Sequence, residues 1–163
     1  MSDMNQFDKK SLFYLLDEDQ KKLVLAKMQS SRFTLGESIF KEKDHDEKLY
    51  VVEKGSVSLI KGIGGDWNKT IMVAPEGSIF GEFSFIDGGA RSASALASGD
   101  TELLSLDRKD FDDLNRESPE IGTRIFNNLL LTLTRRFRQT SEAHWGTIEK
   151  VIKNQDWINP DVG

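Results

Sequence analysis

Between Phe33 and Leu106 the chain passes through six short apolar runs. They are SIF (38–40), LYVV (49–52), SVSLI (56–60), TIMV (70–73), SIF (78–80) and ELLSL (102–106). Turn-forming residues separate them at Gly36, 43–47, Gly55, 62–68, 75–77, 87–89 and 98–100. Closely spaced short strands with Gly-rich turns specify an antiparallel sandwich, roll or barrel and argue against βαβ units. The stretch 62–68, GIGGDWN, reads as a hairpin tip.

Helical patterns flank this region. Residues 9–28 carry Leu12, Leu15, Leu16, Leu23, Val24 and Ala26 among polar residues, which predicts one or two short amphipathic helices broken near 17–19. Asp107 is placed to cap a short helix through Phe111 and Leu114. Ser118 and Pro119 then open a long helix, Ser as the cap and Pro at the first helical position. Phe126, Leu130, Leu133, Phe137, Thr140, His144, Thr147 and Val151 recur with the spacing of a coiled-coil seam. A second stripe, Ile121, Ile125 and Leu129, is expected to face the sheet domain. Two stripes suit two neighbours, so a homodimer through 126–151 is expected ahead of a monomer in which the helix packs across its own sheet domain. The later half of the seam is Thr, His and Thr, which suits either a solvated helix end or a polar ligand near the interface.

The expected organisation is therefore mainly β with flanking α. A helical segment over 1–30 precedes a β domain over 31–117; a long helix over 118–154 and a tail over 155–163 follow it. A chain of 163 residues has room for one domain with a core and one extra long element. It contains no cysteine, which excludes disulfides, thiolate zinc sites and cysteine-held iron–sulfur clusters and suits a cytoplasmic location. No apolar run is long enough to span a membrane, and the first residues are too short and polar for a signal peptide. The net charge of −5 disfavours nucleic acid as the main partner. A DNA-reading helix-turn-helix would need two more helices after the long one, where few residues remain, so no DNA partner is expected. His45 and His144 are isolated, so no metal site is expected, and no nucleophile or paired-carboxylate motif marks an enzyme.

The chemistry concentrates in residues 80–95, FGEFSFIDGGARSASA. Gly81 allows close backbone approach to a ligand. Glu82, acceptor-only when ionised, suits ribose hydroxyls and repels phosphate. Residues 83–86 have room for one helical turn with free N–H groups, and Arg91 supplies a forked cation for phosphate oxygens. Ser92 and Ala93 are small enough for their N–H groups to reach the same oxygens. On residue types alone, a sugar–phosphate pocket and an ordinary bend closed by a Glu82–Arg91 surface pair are equally consistent.

FGEFSFIDGGARSA resembles the phosphate-binding cassette of the cyclic nucleotide-binding domain family, whose usual form is close to FGE-x-(A/S)-LL-DGGPR-(S/A/T)-A. The likeness extends over roughly 11–140, through LFYLLDEDQKKL, FTLGESIF, LYVVEKGSVSLI and ELLSLDRKDF. It implies an antiparallel β-roll of jelly-roll type, a double-stranded β-helix, with N-terminal helices and a long C-terminal helix. It also implies a receptor for a cyclic nucleotide, cAMP ahead of cGMP, that signals to an effector protein. The alternatives are a nucleotide-free scaffold of the same fold and a receptor for cGMP or another cyclic nucleotide.

Within the resemblance, Glu82 is the ribose 2′-hydroxyl acceptor and Arg91 the cyclic phosphate partner. Gly81, Phe83, Ser92 and Ala93 supply backbone, and Leu59 and Ile71 line the base. Ala90 stands where proline is usual. TRRFRQTSE (134–142) is similar to the dimer helix of the family's catabolite-activator branch. That likeness implies adenine contacts from Thr140 and Ser141 and coupling of Arg136 to the cassette glutamate. Arg91→Ala is then expected to weaken ligand binding and leave the fold intact.

Overall fold

The computed structural model describes residues 12–65 and 67–153. Residues 1–11, the expected tail 155–163 and the side chain of the seam residue Val151 lie outside the described part. The chain divides into two units, residues 1–129 and 130–163.

The first unit is the β domain with its flanking helices. Residues 12–15 form a turn, and α1 follows over Glu18–Lys27, with a capping box in which Asp17 and Gln20 exchange bonds. Asp17 is thus a cap where the sequence suggested a break. The strands are β1 (Gln29–Phe33), β2 (Ser38–Phe40), β3 (Lys48–Lys54), β4 (Ser56–Gly64), β5 (Trp67–Pro75) and β6 (Ile79–Phe80). The short helix α2 (Glu82–Asp87), strands β7 (Ser94–Ala97) and β8 (Thr101–Asp107), and helix α3 (Arg108–Glu117) come next. The long helix α4 runs over Pro119–Lys153, so its first turns belong to the first unit.

The strands form two four-stranded antiparallel sheets, ordered β1-β8-β3-β6 and β2-β7-β4-β5. This is the β-roll with flanking helices that the family likeness implied. Strand β3 shows why its sequence is apolar without alternation. Leu49 and Val51 point into one cluster, while Tyr50 and Val52 point into another. A strand covered on both faces reads as a continuous apolar run. Ile79 and Phe80 of β6 divide the same way.

One cluster fills the space between the sheets, with Phe40, Tyr50, Val52, Val57, Phe80 and Leu103 at its centre. The other lies between the β3 sheet and the helices. There Leu12, Leu16, Val24, Phe85, Phe111 and Leu114 meet Ile121, Ile125 and Leu129 of α4. The second apolar stripe of the long helix is therefore buried against its own domain.

Two residues set the helix positions. Gly122 lets α4 approach α3, because a Cβ there would collide with the Asn115 side chain. The buried Asn128 donates through Nδ2 to the carbonyls of Leu12 (2.8 Å) and Tyr14 (2.9 Å), fastening the 12–15 turn to α4. Within that turn Leu15 adopts a left-handed φ of 61°.

Two strands carry no apolar signal. The QSSRF of β1 is polar and is a strand because it pairs with β8, Gln29 opposite Ser105 through Phe33 opposite Thr101. The SALA of β7 places Ala95 and Ala97 inward between β2 and β4.

In the second unit α4 presents an apolar face. Leu130, Leu131, Phe137 and Trp145 are exposed there, and Thr140, His144 and Thr147 are exposed further along. Thr147 bonds back to the Ala143 carbonyl at 3.0 Å. Among the described residues no helix is long and apolar enough to cross a membrane, and no cluster of His, Cys, Asp and Glu could hold a metal.

Candidate nucleotide-binding cassette

The cassette begins where β6 ends. Gly81 adopts φ 78°, and a Cβ on it would lie 2.6 Å from Arg91 Nη1 and 3.0 Å from the Lys48 carbonyl. Both the backbone conformation and the space therefore require glycine. The six-residue α2 starts at once, and Gly88, at φ 69°, ends it with its N–H on the Ser84 carbonyl at 3.0 Å. Asp87 Oδ1 accepts from Gly89 N at 2.7 Å, which turns the chain back toward Arg91.

Arg91 is 3% exposed. Its Nη1 donates to the Gly81 carbonyl (2.9 Å) and its Nη2 to the Lys48 carbonyl (2.8 Å). Asp46 grips it in a fork, Oδ2 accepting from Nε at 2.9 Å and Oδ1 from Nη2. The guanidinium carbon lies 4.1 Å from the Phe40 ring centroid and 5.5 Å from that of Tyr50. Tyr50 is itself stacked on Phe80 at 5.1 Å. Burial pushes the Tyr50 phenol up, with the Asp46 charge adding to the effect.

The Arg91 backbone is clipped to the same loop as its side chain. Its N–H donates to the Asp44 carbonyl (2.8 Å), and its carbonyl accepts from Lys43 N (2.9 Å). Of the five guanidinium N–H groups, four are committed to Asp46, Gly81 and Lys48. One on Nη1 makes no hydrogen bond among the described residues.

The other expected residues fall around this arginine. Glu82 is buried at the start of α2, Phe83 beside it is exposed, and Ala93 is buried. Ser92 is exposed, and its carbonyl accepts from Lys61 Nζ at 2.7 Å. Lys61 also donates to Glu42 Oε1 at 2.7 Å, and that bond, with one from Gly62 N, lowers the Glu42 carboxyl below its ordinary range. Leu59 packs against the inter-sheet aromatic cluster. Ile71 is more than half exposed on β5, and its neighbour Met72 is the residue that packs on the cluster. Arg136, Thr140 and Ser141 lie on α4 in the second unit, Thr140 exposed and the other two half-buried.

Asp46 was invisible in the sequence, because KDHDEK carries no motif and reads as a polar loop. Burying Arg91 among carbonyls also changes what its removal does. Arg91→Ala strips partners from Gly81, Lys48 and Asp46, so the fold does not escape the substitution as the sequence suggested.

Ser84 fills the Ala/Ser position of the cassette pattern, which carries no sign of what its hydroxyl does. Its hydroxyl is buried in α2 and has no hydrogen-bond partner among the described residues. An orphaned buried hydroxyl costs on the order of 1 kcal/mol or more, so Ser84→Ala should raise the thermal stability of the ligand-free protein by about 1 kcal/mol. A melting temperature that falls would show that the hydroxyl has a partner after all.

The sequence pattern of the family described as "Cyclic nucleotide-binding domain" matches residues 30–118. The chain belongs to the cyclic nucleotide-binding domain family. It is 38% identical over 128 residues to the cyclic AMP receptor protein of Thermus thermophilus, a match covering 78% of this chain and 57% of that protein. Among solved structures it is similar to the catabolite activator protein of Thermus thermophilus, with a TM-score of 0.74 and 35% identity over 85% of this chain and 62% of that one. It is also similar to a cyclic nucleotide-binding domain from Methylobacillus flagellatus KT, with a TM-score of 0.79 and 30% identity over 86% of this chain and 79% of that one. The chain thus spans little more than half the length of the curated receptor it resembles.

Proposed function

We propose that this protein is a receptor for a cyclic nucleotide, cAMP ahead of cGMP, acting as a sensor and not as a catalyst. The observation that carries the reading is the fixed guanidinium of Arg91. It is held by Asp46, Gly81 and Lys48, lies over Phe40, and has one Nη1 donor uncommitted among the described residues. Arg91 takes the cyclic phosphate, and the backbone of Gly81, Phe83, Ser92 and Ala93 completes the cradle. Glu82 accepts from the ribose 2′-hydroxyl, and Leu59 and Ile71 flank the base. The name of the Thermus relative supports the order cAMP before cGMP.

The likeness of 134–142 to the dimer helix assigns Thr140, and Ser141 of the partner subunit, to the adenine and Arg136 to coupling with the cassette glutamate. The exposed Leu130 and Phe137 pair two copies through 126–151. Ligand binding favours one arrangement of α4, and an effector protein in the cytoplasm reads it. Calorimetry with cAMP and cGMP tests the reading. Saturable binding of cAMP, tighter than that of cGMP, is expected. Folded protein that binds neither at high micromolar concentration overturns it. That outcome would favour a nucleotide-free scaffold, in which Asp46 alone neutralises Arg91.

A further inference from the structure

Two arginines hold the cassette helix, one at each end, and only Arg91 belongs to the motif. The helix α2 has six residues, and its first internal bond, Phe85 N to the Gly81 carbonyl, is long at 3.4 Å. So short a helix has little stability of its own and takes its orientation from what it is tied to. At its C-terminal end the carbonyls of Phe85 and Ile86 accept from Arg108 Nη1 at 2.8 and 3.3 Å. The donor is always charged, which makes these bonds strong and independent of pH. Asp112 orients the guanidinium through Nε at 3.0 Å, and the Phe85 ring centroid lies 5.7 Å from it.

The Arg108 backbone completes the arrangement. It is the first residue of α3, and its N–H donates to the Glu47 carbonyl at 3.1 Å. Glu47 follows Asp46 in the chain, and Asp46 grips Arg91, which in turn bonds the Gly81 carbonyl at the front of α2. A closed ring therefore runs from Arg91 through Asp46, Glu47 and Arg108 to the far end of α2 and back through Gly81.

We infer that Arg108 is a positioning residue for nucleotide binding: it fixes the C-terminal end of α2, and so the aim of the ligand-facing first turn, while tying α3 to the same loop that holds Arg91. This rests on the receptor function proposed above. The competing view takes Arg108 and Asp112 as an ordinary i,i+4 pair on the surface of α3, worth a few tenths of a kcal/mol. The two carbonyl bonds separate the views, because they leave α3 and end on the cassette.

The test compares Arg108→Ala, Arg108→Lys and Asp112→Ala with wild type, by calorimetry with cAMP and cGMP and by amide hydrogen exchange without ligand. Arg108→Ala should weaken both nucleotides by about the same factor, roughly ten-fold, as expected when charged hydrogen bonds are lost. Equal losses follow because the sugar–phosphate cradle is disturbed and not the base. Arg108→Lys should recover part of the affinity by reaching one carbonyl, and Asp112→Ala should stay within about two-fold of wild type. Amides of 82–88 should exchange faster in Arg108→Ala than in wild type.

Wild-type affinity in a folded Arg108→Ala protein overturns the inference, as does a loss in Asp112→Ala equal to that in Arg108→Ala. If wild type binds neither nucleotide, the receptor reading fails by itself, and the exchange of 82–88 decides the role of Arg108. Unchanged exchange there overturns it. If Arg108→Ala does not fold, the Lys variant and Asp112→Ala decide by the same affinities.

Discussion

Arg91→Ala is expected to weaken cAMP binding by about 2–5 kcal/mol, the range for truncating one partner of a buried charged contact. Calorimetry on folded protein reads this directly. The variant should also melt at a lower temperature. The carbonyls of Gly81 and Lys48 lose their donors, and the Phe40 ring loses the cation above it. Leaving such groups unpaired costs on the order of 1–3 kcal/mol each where water cannot reach them. Asp46 is partly exposed and recovers some of its loss by hydration.

Arg91→Lys separates the two effects. It keeps the charge beside Asp46 but cannot reproduce the fork or the bonds to both carbonyls. Its stability should therefore fall less than that of the alanine variant, while its nucleotide affinity stays low. Wild-type affinity in either variant would refute the phosphate role.

The second large effect concerns the seam of α4. Leu130 and Phe137 are 61% and 73% exposed on one face of α4. If they pair two copies, each buries on association and contributes about 1.5–3 kcal/mol per side chain. The double substitution Leu130→Glu, Phe137→Glu should then convert a dimer into a monomer, as read by sedimentation velocity. The first unit should remain folded, because Ile121, Ile125, Phe126, Asn128 and Leu129, which tie α4 to it, are left in place. A wild-type protein that is monomeric at tens of micromolar would refute pairing through this face. So would a double variant that remains dimeric.

Much of the architecture was legible in local pattern. Strands β2, β3, β4, β5, β6 and β8 coincide with short apolar runs, because burial on one or both faces leaves a signal within a few residues. Asp107 as a cap, the cassette turn and the buried stripe of α4 were legible for the same reason. Strands β1 and β7 were not. QSSRF and SALA owe their conformation to pairing with β8, β2 and β4, and a partner strand leaves no trace in a polar or small-residue segment.

The sequence by itself determined an antiparallel sandwich, roll or barrel with a long C-terminal helix and the order Gly81, Glu82, Arg91 around one turn, because each depends on neighbours close along the chain. The choice of a β-roll came from the family likeness. Only the tertiary structure decided what holds that arginine. Asp46 and Arg91 are 45 residues apart in sequence, and Asn128 reaches back 116 residues to Leu12. Arg108 reaches 23 residues back to Phe85. Such bonds form between elements brought together by burial of apolar strands and helix faces. The polar residues that make them obey no local period.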